Sequence, residues 1–453
     1  MLTLLGFGMV ITFMTLIMTK RASPLVALIA IPLIFALVAG FGSEALGKMM
    51  LDGIRLLAPT GVMLMFAILY FGIMIDAGLF DPVVKAILRS VGNDPMKVVV
   101  GTAVLAALVS LDGDGSTTYM ITVASVLPLY KRLGLNPLNL TCVTILAGGV
   151  MNLTPWGGPL ARAATALHVD PSEVFLPLIP VMAVGVGGVF LLAYFLGLRE
   201  RQRLGKLVLA PAPLAPTVVF HQAHQPQPVV TASAVIIETD PAEVLKRPKL
   251  RWFNALLTVA LLVGLITSIL PLPVLFMLAF AIAIVVNYPQ VAEQRARITA
   301  HAGNVLAVVS LIFAAGVFTG ILSGTGMVEA MSGSLLHVVP KSWAPALATI
   351  TALASMPFTF FISNDAFYYG VLPIVSEMAS TAGITPVEMA RASLIGQPVH
   401  LLSPLVPSTY LLVGLANVEF GDHQKFTIKW AVLVCLLMMV ASLLFGLFPL
   451  MAR

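Results

Sequence analysis

Charged residues are scarce in this sequence. Only 10% of its 453 residues are Asp, Glu, Lys or Arg, whereas 59% are hydrophobic and the mean hydropathy is +1.01. Soluble domains carry roughly 25% charged residues, so this chain has too few charges to cover a soluble surface. Many continuous segments approach the ~20 apolar residues that cross a bilayer as a helix. The composition excludes a soluble globular protein and predicts an all-α polytopic membrane protein, because the apolar runs are unlike the short alternating strands of a membrane barrel.

Cysteine, histidine and nucleotide-binding signatures are equally sparse. The two cysteines, Cys142 and Cys435, lie in apolar segments, which favours packing over a disulfide or a metal site. The seven histidines are scattered, which disfavours an intramembrane metalloenzyme. No Walker A motif is present, so ATP-driven transport is not supported. The net charge of +5 comes without a clustered basic face, and no nucleic-acid partner is expected.

One stretch interrupts the apolar pattern. From Arg199 to Arg251 the sequence is rich in Pro, Ala and Gln and is bounded by basic clusters, as is typical of a linker. The sequence therefore predicts a first membrane repeat (1–198), a cytoplasmic linker (199–251) and a second membrane repeat (252–453).

The two repeats share the order of their features, although their identity is weak. Gly72 and Gly78 align with Gly320 and Gly326. Each repeat has three apolar spans, a short amphipathic helix, two apolar arms around a polar tip, a helix interrupted by Gly and Pro, and a last span. In the first repeat these features occupy 2–19, 24–42, 55–76, 79–91, 97–131, 138–168 and 174–198, and in the second 253–270, 272–289, 303–323, 327–338, 343–382, 388–418 and 426–450.

The two-armed segments are predicted to be re-entrant hairpins. Their arms are shorter than a full span, and a polar tip at membrane depth is tolerated where it is buried in protein. Each repeat then has five transmembrane crossings, and this odd number inverts the second repeat relative to the first. The arrangement places 19 of the 25 Lys and Arg residues on one side. The positive-inside rule then puts the linker in the cytoplasm and both termini outside.

The predicted tips, SLDGDGSTT and FISNDAFYYG, and the interrupted helices concentrate the polar residues. Inverted-repeat transporters bind their substrates and coupling ions where such elements meet near the midplane. The prolines could also be simple kinks and the tips solvated loops, but such features at matching places in both halves favour a site. The predicted substrate-binding residues are Ser110, Asp112, Asp114, Ser116, Thr117, Asn152, Thr154, Ser363, Asn364, Asp365, His400, Ser403, Ser408 and Thr409.

Three members of this set are the predicted contacts to a metal ion: Asp112, Asp114 and Asp365. His400 is equally compatible with a packing role. Arg162, about a turn beyond the first break, is expected to anchor the chain at the membrane edge. The predicted site therefore contains no arginine.

The tips SLDGDGSTTY and ISNDAFYYG, with NLTPWGGPLARA and GQPVHLLSPLVPSTY, resemble the bacterial citrate–divalent metal/proton symporter family. More distantly, the layout is similar to the ion-transporter superfamily that includes the divalent-anion/sodium symporters. The resemblance implies a secondary transporter, not an enzyme, that imports citrate complexed with Mg²⁺ or Ca²⁺ together with protons. It also implies no permanently bound cofactor, a homodimer in the bacterial inner membrane, and an elevator movement of a transport domain against a scaffold.

The chemistry of the tips agrees with this resemblance. Citrate carries three negative charges at neutral pH, and a bound divalent cation lowers the cost of removing it from water. Oxygen-rich side chains suit Mg²⁺ and Ca²⁺, and a buried carboxylate can carry a proton. The resemblance also implies that Asp365 stands where the sodium-coupled symporters have Thr, a departure that favours protons or a metal-bearing substrate over sodium coupling. The alternative is another proton- or sodium-coupled organic anion permease, for gluconate, lactate or a dicarboxylate.

Overall fold

A computed structural model describes residues 1–19, 21–113, 115–204, 245–267, 269–338 and 343–452. Asp114 and most of the predicted linker, 205–244, lie outside the described residues. Within the described ranges the chain is helical and contains no β-strand.

The first half contains α1 (Leu2–Met18), α2 (Pro24–Val38), α3 (Ser43–Asp76), α4 (Asp81–Val91), α5 (Pro95–Val109), α6 (Gly115–Leu133), α7 (Pro137–Met151), α8 (Gly158–Leu167) and α9 (Pro171–Leu204). The second half contains α10 (Arg251–Ile266), α11 (Leu272–Asn287), α12 (Val291–Gly324), α13 (Met327–Val338), α14 (Leu347–Phe361), α15 (Leu372–Ser380), α16 (Pro386–Ser393), α17 (Gln397–His400), α18 (Pro407–Ala416) and α19 (Phe420–Leu444). The predicted order of elements is present in both halves.

The helical content and hydropathy are those of a polytopic membrane protein. Seven described segments are long and apolar enough to cross a membrane, and five shorter apolar helices accompany them. The predicted all-α membrane fold is therefore confirmed. The hairpin arms α5 and α14 lie within two of the seven segments, so the number of crossings and the inversion of the second half stay predictions.

Three helices are longer than their predicted spans. α3, α9 and α12 each have 34 residues, or about 50 Å at the 1.5 Å rise of an α-helix. The prediction followed only the apolar runs, whereas the helices continue through polar turns such as those before residues 55 and 303. α9 also runs through residues 199–204, which were assigned to the linker. Such lengths exceed the ~30 Å hydrocarbon core, so these helices tilt or project beyond it.

The helices α3 and α12 occupy equivalent places in the two halves and run antiparallel in direct contact. A Cβ atom added to Gly53 would lie 2.0 Å from the carbonyl oxygen of Gly316, and one on Gly320 would lie 2.4 Å from that of Met49. At the other end of the pair, Gly72 meets the ring of His301. Small residues allow this close backbone approach, which is a common basis of helix association in membranes. The antiparallel pair supports the predicted inversion of the two halves.

Two groups of helices surround the polar tips. The frame consists of α1–α3 and α10–α12 and is built around the α3–α12 pair, with α1 also packed against α13 and the second tip. The inner bundle consists of the hairpins α5–α6 and α14–α15, the interrupted helices α7–α8 and α16–α18, and the closing helices α9 and α19. The inner bundle carries the tips and helix breaks to which the sequence assigned the site.

Gly53→Ala should destabilise the protein, because its Cβ atom has no room beside the backbone of Gly316. Overpacking of this kind typically costs about 1–3 kcal/mol. The control is Gly47→Ala in the same helix, where an added Cβ atom has no neighbour within 4 Å. In detergent, the thermal unfolding midpoint should fall for Gly53→Ala and not for Gly47→Ala; equal midpoints would contradict the close packing.

Candidate substrate-binding site

The tips and helix breaks of both halves enclose one cavity of about 490 Å³, here called the central cavity. All of its walls belong to the inner bundle. Eight of the fourteen predicted substrate-binding residues line it: Ser110, Ser116, Asn152, Ser363, Asn364, Asp365, His400 and Ser408. The structure therefore brings residues more than 250 positions apart in the sequence into one polar chamber.

The first tip is fixed to the first helix break by its backbone. After a short 3₁₀ turn, Gly113 adopts the left-handed region at φ 78°, which favours glycine. A Cβ atom at Gly113 would lie 2.9 Å from Cδ1 of Trp156. The indole Nε1 of Trp156 donates a hydrogen bond of 2.8 Å to the carbonyl oxygen of Leu111. Tip and break thus form a single unit.

Three helices begin at the wall of the central cavity. α6 begins at Gly115, α8 at Gly158 and α18 at Pro407, and all three residues line the chamber. The first N–H groups of a helix have no partner within it, and the N-terminus carries roughly half a positive charge. Three such termini make the cavity suited to an anion.

An ion pair joins the two halves inside the cavity. Arg162 Nε lies 2.6 Å from Asp365 Oδ1, and the two side chains are 24% and 12% exposed. The expectation that Arg162 anchors the membrane edge is therefore wrong, and the site does contain an arginine. Arg162 is four residues beyond Gly158, so both lie on the same face of α8. This i, i+4 spacing was the signal in the sequence that could have identified it.

His400 is held in a defined orientation at the cavity wall. Its Nδ1 lies 2.7 Å from the carbonyl oxygen of Thr359. A carbonyl only accepts hydrogen bonds, so Nδ1 carries the proton and Nε2 has the lone pair when the ring is neutral. Such backbone-oriented histidines are suited to bind a cation or accept a proton. Since His400 also lines the cavity, its position favours a binding role over simple packing.

The sequence did not single out Gln397, which lies behind the second tip. This buried amide donates 2.8 Å to the hydroxyl of Tyr368 and 3.4 Å to Oδ1 of Asn364. Gln397 therefore links the second helix break to the tip and orients Asn364. The sequence alone could not identify Gln397 as a partner of the tip, because the two are brought together only by the fold.

A second cavity, of about 290 Å³, lies between the first tip and the frame. Asp112 and Thr117 line this chamber, here called the frame cavity, and Arg162 lines both chambers. Asp112 and Asp365 are therefore placed in different cavities, and Asp114 lies outside the described residues. In the part of the chain that the structure describes, no three His, Cys, Asp or Glu side chains are grouped to hold a metal ion.

Three predicted residues line neither cavity. Thr154 lies against apolar side chains behind Trp156. The Ser403 hydroxyl donates 2.6 Å to the carbonyl oxygen of Phe360, and the Thr409 hydroxyl donates to that of Leu401. Instead of facing the central cavity, Ser403 therefore bonds to the backbone at the end of α14 and Thr409 to the backbone of the second break.

The sequence matches known transporters over nearly its whole length. Residues 13–396 match the citrate transporter family. Over 447 residues the chain is 60% identical to the citrate transporter of Bacillus subtilis (strain 168) and 54% identical to the Mg(2+)/citrate complex secondary transporter of the same organism. Each alignment covers 98% of this chain and 99% of the relative.

Two solved structures are similar in fold. The Alcanivorax borkumensis YdaH transporter aligns with a TM-score of 0.54 at 16% identity, covering 90% of each chain. Neisseria gonorrhoeae MtrF aligns with a TM-score of 0.55 at 13% identity, covering 88% of this chain and 84% of that one. The sequence matches confirm the resemblance carried by the tips and helix breaks. The chain belongs to the citrate transporter family, and it is a membrane transporter and not an enzyme.

Proposed function

We propose that this protein is a secondary transporter that imports citrate as a complex with a divalent cation, coupled to protons. The observation that carries the proposal is the Arg162–Asp365 ion pair in a cavity bordered by three helix N-termini. A metal–citrate complex offers both a cation and free carboxylates. It can therefore satisfy both members of the pair when it enters between them.

The charge of the cavity fits the complex better than free citrate. Arg162 and Asp365 cancel, which leaves the helix N-termini at about half a positive charge each. Three such termini supply about one and a half positive charges, which is closer to the single negative charge of a citrate bound to a divalent cation than to the three of free citrate. A bare trianion would keep about half of its charge uncompensated in a low-dielectric site, which is costly.

The side chains of the pair define the binding mode. The bond to Asp365 uses Nε of Arg162, so the two terminal nitrogens of the guanidinium are available to a substrate carboxylate. Asp365, Asn364 and Ser363 supply the oxygen ligands that Mg²⁺ and Ca²⁺ prefer. One relative is named a Mg(2+)/citrate complex secondary transporter, which supports Mg²⁺ as cargo.

Asp112 is the proposed proton carrier. This aspartate is 8% exposed and lies on the first tip, whose residues border both cavities. Titratable carboxylates at membrane depth are costly and usually functional. Its place in the frame cavity separates it from the proposed metal contact at Asp365.

The proposal includes an orientation and a movement. The distribution of Lys and Arg supports a cytoplasmic linker and outer termini in a bacterial inner membrane. The division into frame and inner bundle suits a homodimer in which the frame is the scaffold and the inner bundle is the moving transport domain.

Citrate uptake should require a divalent cation. In proteoliposomes, chelation by excess EDTA should abolish uptake of labelled citrate, and added Mg²⁺ should restore it. The reason is that free citrate carries two more negative charges than its complex with a divalent cation, and the cavity lacks the positive charge to compensate them. Undiminished uptake at saturating EDTA would identify free citrate as the substrate.

Arg162→Gln should weaken binding of Mg–citrate by at least about tenfold. Truncating one partner of a buried charge pair typically costs about 2–5 kcal/mol, and 1.4 kcal/mol is a factor of ten. Arg55→Gln is the control, since Arg55 forms an exposed pair with Asp52, 3.2 Å away. Calorimetric titration should separate the two variants; equal affinities would remove Arg162 from the site.

Asp112→Asn should abolish accumulation driven by a pH gradient while exchange of internal for external substrate survives. Exchange needs no net proton movement, whereas accumulation does. The matched variant is Asp52→Asn, at a side chain that is 52% exposed on α3. Accumulation by Asp112→Asn at the level of Asp52→Asn would exclude Asp112 as the proton carrier.

A further inference from the structure

The frame contributes its own titratable group to the frame cavity. His301 of α12 lines this chamber with Asn304, and Phe71 and Gly72 of α3 complete the same side. The inner bundle supplies Asp112 and Arg162 on the opposite side. The frame cavity is therefore a largely apolar space between the two helix groups, with a few polar side chains from each group in its wall.

His301 is held in place by Asp76 and Gly72, and Asp76 in turn bonds to Arg297. Its Nε2 lies 2.9 Å from Oδ2 of Asp76, and Nη1 of Arg297 lies 3.3 Å from the same oxygen. A Cβ atom on Gly72 would lie 2.7 Å from Nδ1 of the His301 ring, so only glycine leaves room for the ring. A carboxylate accepts hydrogen bonds, so Nε2 carries the proton and Nδ1 holds the lone pair of the neutral ring.

The pair lies where the frame meets the linker. Asp76 is the last residue of α3, and the next residue, Ala77, accepts a backbone hydrogen bond of 3.0 Å from Arg247, at the end of the linker. Both His301 and Asp76 side chains are 17% exposed. The pair is therefore partly exposed, and it lies between the frame cavity and the end of the linker.

We infer that His301, oriented by Asp76, relays the symported proton between the frame cavity and the linker side. In this step, Nδ1 of neutral His301 takes a proton from a hydronium in the cavity, which leaves water, and the imidazolium then gives its Nε2 proton to water beside Asp76 on the linker side. Proton exchange with water afterwards returns the ring to the Nε2–H tautomer. The cavity has room for waters, and the side chains of Asp112, Arg162, His301 and Asn304 in its wall offer the polar partners that buried waters need. This relay rests on the proposed proton symport.

The surrounding charges suit a histidine that gains and loses a proton. Asp76 of α3 and Asp112 of the first tip offset the positive charge of the imidazolium. Arg297 on the same helix and Arg162 of α8 oppose it, but Arg162 is already paired with Asp365. Tyr288, ahead of α12, is a further titratable group near Asp76 and Arg297, and the Arg247–Glu293 ion pair lies next to it.

The test uses the full-length protein in proteoliposomes and the variant His301→Gln. Glutamine can still donate a hydrogen bond to Asp76 but does not titrate between pH 5 and 8. Exchange of Mg–citrate should stay within about twofold of wild type. Accumulation driven by a pH gradient should fall at least tenfold, and net uptake should lose its dependence on internal pH. The matched control is His423→Gln, since His423 is a buried histidine of α19 that bonds to Thr141 and lines neither cavity.

Asp76→Asn provides a second readout that a structural role would not move. Without the carboxylate that orients the ring, accumulation driven by a pH gradient should fall while exchange of Mg–citrate stays within about twofold of wild type. Wild-type accumulation and pH profile in His301→Gln would overturn the relay, as would loss of exchange together with accumulation. If the wild-type protein accumulated Mg–citrate equally with and without a pH gradient, proton symport itself would be refuted.

Discussion

A charge at membrane depth is tolerated only when an opposite charge or a set of hydrogen bonds compensates it. Arg162 and Asp365 meet this constraint together, and they come from different halves of the chain. Neither half can hold its charge alone, so the ion pair draws α8 and the second tip to one place. A substrate that separates Arg162 from Asp365 must offer a negative group to the arginine and a positive group to the aspartate. The substrate must therefore carry groups of both signs.

The same constraint governs the backbone around the site. Helix breaks at membrane depth release carbonyl groups that need partners. Trp156 bonds to the carbonyl of Leu111 at the first tip, and His400 and Ser403 bond to those of Thr359 and Phe360 at the end of α14. Each of these bonds ties a break to a tip. The rigid unit that results holds the helix N-termini around the central cavity.

Much of this arrangement could be predicted from the sequence. The hydropathy and the spacing of Gly and Pro gave the order of elements, the tips and the breaks, because these are local properties. The length of α3 and the position of Arg162 were not predicted. A polar turn or side chain has the same sequence whether it faces water or a cavity. For the same reason Ser403 and Thr409 resembled ligands, although they bond to the backbone. Three glycines, Gly316, Gly320 and Gly324, recur every four residues in α12. Only the structure shows that they allow the close approach of α3.

The two cavities differ in what would happen to them if the inner bundle moved along the frame. The central cavity is walled by the inner bundle alone, so it would keep its shape and its substrate contacts throughout such a movement. The frame cavity has one wall from each group, so it exists only when Asp112 of the tip faces His301 of the frame. A proton could then pass to the frame in one position of the bundle and not in the other. Such a dependence of proton exchange on position is what distinguishes a coupled transporter from a leak.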